Sequence, residues 1–402
     1  MRGGSSEPER RWTRLAKVPR RFGSRPRGRD ARPQETQAVA SPKRPARRAL
    51  IFGAALALTL IAIPVAAASA SNMWGVYFRY PTTDPQDPGL MQAAHVKTAR
   101  FPVKWYEVQA NPGDPFDWNS AGYNQRIGTL ACKGITSLPT LQAPPPFAAN
   151  DVDTPPVDTQ QHRDEWNAFV SAAVHQYGPN GAFWSGPFQS MCPGHAAVPI
   201  KWWQIWNEPN LPRFNHSSNP VGDFATLVTI SHQTIRSIDP TGNVLLGGIP
   251  DGPAFHFWTF INQLYQVPGI ENNFEALDAH PYSPTIAEVR DRMNRYRHVM
   301  NHNGDKHTPI FIGEFGWGSG PRDSSVNRGL KGQAKNLTRS FRLFVDNKKK
   351  WRLKRVIWYE WRDPTSSPPG QGCPFCATSG LLKSDFSKKP SYRAYKRFAA
   401  HH

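Results

Sequence analysis

The chain has 402 residues and a formal net charge of +19 at neutral pH. Residues 1–48 hold 15 Lys and Arg against 4 Asp and Glu, which is +11 of that charge. Because this segment is rich in Pro, Gly, Ser and Arg, we expect it to be a disordered tail. The charge therefore says little about the rest of the chain. A basic arm is able to bind nucleic acid, but the segment that follows argues against this function.

Residues 49–70 form an almost wholly apolar run without a charge, long enough to span a bilayer. Arg47 and Arg48 precede it, which predicts a cytoplasmic amino-terminal side, and they are also a weak twin-arginine candidate. Pro64 and the small residues of Ala66–Ala70 fit a signal cleavage site. The run is a cleaved signal peptide or a membrane anchor. Both alternatives export the rest of the chain, either secreted or attached to the membrane.

From residue 71 to residue 402 the sequence alternates between strand-like and helical patterns without a short internal repeat. This alternation is typical of an α/β fold with a parallel sheet. These 332 residues are predicted to form one monomeric domain with long loops. The predicted strands are 73–78, 96–102, 135–141, 200–206, 243–248, 273–282, a seventh that carries Glu314, and 355–363. The predicted helices are 87–95, 163–177, 224–238, 285–301, one that ends near 347, and 390–400.

Two of these strands end in a glutamate. Strand 4 runs into Trp-Asn-Glu-Pro-Asn, where Glu208 precedes Pro209, a residue that lacks the N–H needed to continue a ladder. Strand 7 runs into Ile-Gly-Glu-Phe-Gly, which contains Glu314. A lone glutamate at such a place commonly has a structural partner. Two carboxylates at the carboxyl ends of parallel strands indicate glycoside hydrolysis, because one donates a proton while the other attacks or activates water.

These two motifs together resemble clan A of the glycoside hydrolases, in the style of families 5 and 39. Members of this clan are (β/α)8 barrels that retain the anomeric configuration, so the resemblance implies a single TIM barrel. Such a barrel needs roughly 250 residues, and the remaining residues of 71–402 are expected in the loops. The resemblance implies that Glu208 is the acid/base and Glu314 the nucleophile, with their carboxyl groups about 5–5.5 Å apart. It also implies that Asn207 hydrogen-bonds the 2-hydroxyl group of the sugar, a contact that strengthens as charge develops.

The resemblance extends to supporting residues on other strands. Arg100 on strand 2 would hold the nucleophile and lower its pKa. His280 and Tyr282 at the end of strand 6 would contact the sugar and hydrogen-bond the nucleophile, respectively. Trp358 or Trp361 on strand 8 would form the floor under the sugar; they face opposite ways, and Trp361 is favoured because it lies nearer the mouth. Each of these residue types also commonly has a purely structural role.

Four cysteines in an exported chain allow three pairings, and oxidation is expected there. Cys132 and Cys192 precede strands 3 and 4, so both should lie at the non-catalytic end of the barrel. Cys373 and Cys376 lie in the loop after strand 8. We therefore expect the disulfides Cys132–Cys192 and Cys373–Cys376.

The sequence predicts a retaining glycosidase that hydrolyses an oligo- or polysaccharide by double displacement, without a metal ion or an organic cofactor. The expected partners are a carbohydrate and, through residues 49–70, a membrane, with no nucleic acid. One alternative is a transglycosidase that remodels an envelope glycan; another is a catalytically silent carbohydrate-binding barrel. Asp278 and Glu360 are further carboxylates without an assigned role. The basic run 348–355, at the non-catalytic end, is a solvated rim or an anchor to an acidic envelope polymer.

Overall fold

The computed structural model describes residues 72–79, 84–365, 373 and 375–402. The predicted tail, 1–48, and the predicted signal or anchor, 49–70, lie outside these residues. Within the described ranges, no helix combines the length and the apolar character that crossing a membrane requires.

Nine parallel strand segments form one sheet in the order β5-β4-β3-β2-β1-β9-β8-β7-β6. The segments are β1 Trp74–Tyr77, β2 Thr98–Lys104, β3 Thr136–Gln142, β4 Trp202–Ile205, β5 Asn243–Leu245, β6 Ile249–Pro250, β7 Leu277–His280, β8 Ile310–Phe315 and β9 Leu353–Trp358. Only three residues separate β5 from β6, so the two are parts of one barrel strand. A parallel bridge between Leu245 and Ala276 joins this strand to the segment leading into β7 and closes the sheet. The result is the predicted eight-stranded barrel.

Eleven α-helices are found among the described residues. They are α1 Gln86–Ala93, α2 Trp105–Val108, α3 Tyr123–Ala131, α4 Gln160–Tyr177, α5 Ala182–Ser185, α6 Pro187–Met191, α7 Pro220–Ile238, α8 Phe257–Leu264, α9 Ile286–His302, α10 Gly329–Trp351 and α11 Pro390–His401. Two 3₁₀ turns cover Ile270–Asn272 and Cys376–Thr378. The longer helices match predicted ones, whereas the short helices α2, α3, α5, α6 and α8 were not predicted.

Asp87, the first residue of the predicted first helix, has a structural role that the sequence did not indicate. It lies inside α1, completely buried, and accepts hydrogen bonds from the Trp361 indole at 2.7 Å and from Arg362 at 2.9 Å. A buried carboxylate needs such partners because desolvation of its charge is costly. The helix starts one residue earlier, at Gln86, without a side-chain cap.

The interior of the barrel is layered. Its lower layer is an apolar cluster to which five neighbouring strands or strand entrances contribute one residue each: Leu138, Trp202, Leu245, Ala276 and Phe311. Two positions further along the strands, alternation brings polar side chains to the same inner face. The active-site candidates stand above this polar layer, at the carboxyl ends of the strands.

Candidate active site

Glu208 lies three residues beyond the end of β4, on a sharply turned segment. Its φ is +48° and that of Trp206 is +67°, a left-handed conformation that residues other than glycine seldom adopt. The Trp206 indole donates a 2.7 Å hydrogen bond to the carbonyl oxygen of Phe214 and so fixes this turn. Such backbone strain is typical of functional sites. Here it holds Glu208, 9% exposed, at the mouth of the barrel.

Glu314 lies in β8, near a register irregularity in the pairing of β8 with β9. Simple alternation would put Phe311 and Gly313 on the inner face and Glu314 on the outer one. The irregularity turns Glu314 toward the site, as a β-bulge does. There its Oε1 accepts a 2.5 Å hydrogen bond from Arg100, and its Oε2 accepts one of 2.9 Å from the Tyr282 hydroxyl group.

Arg100 reaches the site from β2 and is held at several points. Its Nε donates to Gln204 at 2.5 Å, and its Nη2 donates to Asn207 Oδ1 at 2.9 Å, in addition to the bond with Glu314. Its guanidinium group also lies 5.3 Å from the centre of the Tyr77 ring. Because Arg100 donates to the side-chain oxygen of Asn207, the side-chain NH2 group of Asn207 is oriented to donate to an acceptor on a ligand.

His280, at the end of β7, supports Glu208 from within the barrel. Its Nδ1 lies 2.9 Å from Glu208 Oε1, and its Nε2 lies 3.5 Å from Asp278 Oδ2. A Cβ at Gly248 would lie 2.0 Å from that Nε2, so only glycine lets the chain between β5 and β6 pass this close. The predicted contact of His280 with sugar is corrected, because the side chain is 0% exposed. It positions Glu208 instead.

Asp278 is a completely buried anchor beneath the site. Its Oδ2 accepts a 2.5 Å hydrogen bond from the Gln204 amide, and its Oδ1 accepts one of 2.5 Å from the Gly313 backbone N–H. A Cβ at Gly313 would lie 2.0 Å from Oδ2, so glycine is required beside this carboxylate. Asp278 thereby ties β4, β7 and β8 together below the two glutamates.

The two glutamates have opposite electrostatic surroundings. Burial raises the pKa of Glu208 above its ordinary value, although the contact with His280 opposes the shift. Burial acts on Glu314 in the same direction, but the positive charges of His280 and Arg100 outweigh it and lower the pKa of that carboxyl. Burial disfavours the charged form of His280, yet the surrounding carboxylates, Glu314 first, raise its pKa to about 9. One carboxyl group thus favours its proton and the other its charge, the pattern of an acid and a nucleophile.

Glu208, His280 and Glu314 also form a cluster of the kind that can hold a metal ion, with their ligand atoms all within 4.8 Å of one another. The permanent charge of Arg100 lies 2.5 Å from one of these carboxylates and repels a further cation. His280 already uses Nδ1 toward Glu208. The arrangement suits acid and nucleophile chemistry better than metal ligation.

Trp358 and Trp361 do not form the floor of the site. Both side chains are 0% exposed. The Trp358 ring lies 5.3 Å from that of Phe315 within the core, and the Trp361 indole bonds Asp87. Neither ring offers a face to a ligand, so both predictions are corrected: these are core residues.

Tyr359, the first residue after β9, lies at the site instead. Its ring centre is 5.0 Å from that of Tyr77, 6.1 Å from that of Tyr282 and 6.3 Å from that of Phe375. Tyr282 donates to Glu314, so these rings lie directly beside the nucleophile candidate. We call Tyr77, Tyr282, Tyr359 and Phe375 the aromatic rim. Of these four residues, only Tyr282 was predicted from the sequence to lie at the site.

Glu360 lies outside the carboxylate pair. Its Oε2 accepts a 3.1 Å hydrogen bond from Arg79 Nε, and the Ser379 hydroxyl group donates to its Oε1 at 3.3 Å. Burial raises the pKa of Glu360 to about 7, against the opposing charge of Arg79. Arg79 also contacts the Tyr359 hydroxyl group. Glu360 therefore supports the aromatic rim through Arg79.

The four cysteines form two disulfides, Cys132–Cys192 and Cys373–Cys376, the same pairs that the sequence predicts. Cys132 directly follows α3 and Cys192 directly follows α6, so the first bridge joins the ends of two helices at the non-catalytic end of the barrel. The second lies in the loop that carries Phe375 of the aromatic rim.

No protein-family model matches the chain, and no curated protein matches it. Solved structures do. A family 39 glycoside hydrolase from Bacteroides cellulosilyticus has a TM-score of 0.59 at 20% identity, over 82% of this chain and 64% of that one. A monomeric β-xylosidase from Caulobacter crescentus has 0.61 at 18% identity, over 81% and 67%. A family 5 glycoside hydrolase from Bifidobacterium longum, in complex with Manβ1-4GlcNAc, has 0.61 at 12% identity, over 82% and 78%.

The chain therefore has the fold of the clan A glycoside hydrolases, a (β/α)8 barrel. The similar structures include members of families 39 and 5, the two families that the glutamate motifs resemble, so the predicted fold is confirmed. Identities of 20% and below show the fold alone. The chain spans 64% of the length of the Bacteroides enzyme.

We predict that charged His280 stabilises the folded chain in a defined pH window. Its pKa is raised from 6.5 in the unfolded chain to about 9 in the folded chain. Its contribution to the free energy of unfolding, about 3 kcal/mol, is therefore fully present below the pKa of the unfolded chain and is lost as the pH rises through the pKa of the folded chain. Urea unfolding of the wild-type chain and of His280→Gln, measured from pH 6 to 10, should give free energies that converge across this window. A difference between the two chains that stays constant with pH would contradict the assignment.

Proposed function

We propose that the chain is a retaining glycosidase that hydrolyses O-glycosidic bonds of an oligo- or polysaccharide. The observation that carries this proposal is the closeness of its two glutamates: one carboxylate oxygen of Glu208 and one of Glu314 lie within 4.8 Å of each other. Retaining pairs are about 5–5.5 Å apart, whereas inverting pairs need about 6.5–9.5 Å to admit a water molecule. The separation favours direct attack by a carboxylate.

In the first step, Glu314 attacks the anomeric carbon while Glu208 transfers its proton to the leaving oxygen. The bond between the anomeric carbon and that oxygen breaks, and a covalent glycosyl ester of Glu314 forms. Arg100 and Tyr282 keep Glu314 ionised and oriented before the attack. After it has lost its proton, Glu208 is a carboxylate beside protonated His280, which stabilises the new charge.

In the second step, Glu208 takes a proton from water, and the resulting hydroxide attacks the anomeric carbon. The ester bond breaks and returns Glu314 as a carboxylate, while the sugar leaves with its original configuration. Asn207 donates its amide N–H to the 2-hydroxyl group of the sugar, a contact that strengthens as positive charge develops at the ring. No step requires a metal ion or an organic cofactor.

The aromatic rim supports a carbohydrate substrate, because sugar rings stack on aromatic faces with their C–H groups. The similar solved structures include a β-xylosidase from Caulobacter crescentus and an exo-β-1,4-mannosidase from an Opitutaceae bacterium. Aryl β-xylosides, β-mannosides and β-glucosides, followed by polysaccharides, are therefore the first substrates to test. We also propose that residues 49–70 direct the export of the barrel. The two disulfides support this, because disulfides persist in oxidising compartments outside the cytoplasm.

We predict that both glutamates are essential and that they fail in different ways. Glu208→Ala should lower turnover by about 10²–10⁴-fold and should recover when azide, a small nucleophile that needs no general base, replaces water. Glu314→Ala should lose the double displacement altogether. Proton NMR of the first product formed by the wild-type chain should show the anomeric configuration of the substrate.

Three outcomes would reject this function. An inverted first product would exclude the covalent intermediate. If the Glu314→Ala variant turned over substrate at the wild-type rate, Glu314 would not be the nucleophile. Binding of carbohydrate without turnover of any glycoside would favour a silent binding barrel. In contrast, transfer of most product to a labelled acceptor sugar would keep both glutamates and make the chain a transglycosidase.

We predict that the ring of Tyr359 binds substrate. Tyr359→Ala removes the ring and should lower kcat/KM about 3–10-fold, mainly through KM, as expected for one stacking contact. Tyr359→Phe is the matched control, because it keeps the ring and removes only the hydroxyl group that contacts Arg79. It should lose less. Equal losses in both variants, or an unchanged KM in Tyr359→Ala, would assign Tyr359 to structure alone.

A further inference from the structure

A cavity of about 810 Å³ opens at the amino-terminal end of the barrel, the end opposite the two glutamates. None of the described residues that line it is acidic. Its basic residues come from the end of α10, from the start of β9 and from the loop before β8: His307, Lys348, Lys349, Arg352 and Lys354. We call this feature the basal cavity.

The cations of the basal cavity are crowded and lack carboxylate partners. Among the described residues, no carboxylate lies within ion-pair distance of Lys348, Lys349, Arg352 or Lys354. Arg352 instead lies 3.0 Å from the ring of His307. Burial and the adjacent Arg355 lower the pKa of Lys354. A concentration of positive charge without internal compensation attracts anions.

Helix electrostatics explains only part of this cluster. Lys348 and Lys349 lie in the last turn of α10, where cations stabilise the helix dipole. Arg352 and Lys354 lie beyond that helix, and His307 belongs to a different loop. The positive charge therefore belongs to a surface built from three elements and has no single structural cause.

The position of the basal cavity along the chain indicates what it faces. Asn72 lines it, and only Ser71 separates Asn72 from the apolar run 49–70. If that run stays in a bilayer, Asn72 lies at the bilayer surface, and the residues around it face the lipid headgroups. The glutamates, at the opposite end of the barrel, then face away from the membrane, toward material outside the cell.

We propose that the basal cavity is a docking surface for the anionic phospholipid headgroups of the membrane that holds residues 49–70. Each Lys or Arg near such a surface adds to the attraction, which falls off within a Debye length. The role of this surface is to orient the barrel with its active site outward. It is independent of the reaction that the two glutamates perform.

The test uses the full-length chain in vesicles and needs no variant. The chain is reconstituted in phosphatidylcholine alone or in an equimolar mixture of phosphatidylcholine and phosphatidylglycerol. Acetylation rates of individual lysines are then measured by mass spectrometry. Lys331 and Lys335 are matched controls, because they are exposed on the first turns of the same helix, α10. They lie about 20–25 Å from Lys348 along the helix, beyond the roughly 8–10 Å reach of the surface potential.

Lys348, Lys349 and Lys354 should be acetylated at least about fivefold more slowly in the anionic vesicles than in the neutral ones. High salt should abolish this difference, while Lys331 and Lys335 should react equally in both vesicles. Equal rates at the basal lysines in the two vesicle types would overturn the proposal. So would equal protection of the control lysines, or protection by a soluble poly(glycerol phosphate) in the absence of any protection by vesicles.

Discussion

A guanidinium group sealed inside the barrel is the constraint on which the site depends. Arg100 is 1% exposed and is always charged, so its burial requires compensation. Glu314, Gln204 and Asn207 provide it through three hydrogen bonds. Removing one partner of such a buried pair typically costs about 3–5 kcal/mol. The same ion pair that allows Arg100 to be buried therefore fixes the position of Glu314 and favours its ionised form.

The buried network also accounts for the opposite pKa shifts of the two glutamates. Glu314 shares its surroundings with Arg100 and Tyr282, which stabilise negative charge. Glu208 has His280 as its hydrogen-bonding partner and is otherwise desolvated, so its neutral form gains. Asp278 fixes the spacing from below through the strands that carry both sides of the site. Two identical side chains thus acquire different chemistry from position alone.

The features that sequence could predict were those encoded by local pattern. Strand–helix alternation predicted an α/β fold. The two strands that end in glutamate predicted the carboxylate pair and, through their resemblance to clan A, the barrel. The features that it missed depend on which way a side chain faces. Alternation along β9 puts Ile357 and Tyr359 on the face opposite Trp358. This pattern could have located Tyr359, but only the tryptophans of the strand were considered as sugar-binding residues. The burial of His280 depends on Gly248, which lies on another strand, so no local pattern reveals it.

The proposed mechanism requires that Glu314 becomes covalently attached to the sugar. A 2-deoxy-2-fluoro glycoside with a good leaving group tests it directly, because fluorine slows the release of the glycosyl ester more than its formation when the leaving group is activated. Mass spectrometry of the treated chain should show the addition of one glycosyl unit, and peptide mapping should place it on Glu314. An adduct on Glu208 or Glu360, or turnover of substrates without any adduct, would contradict the account.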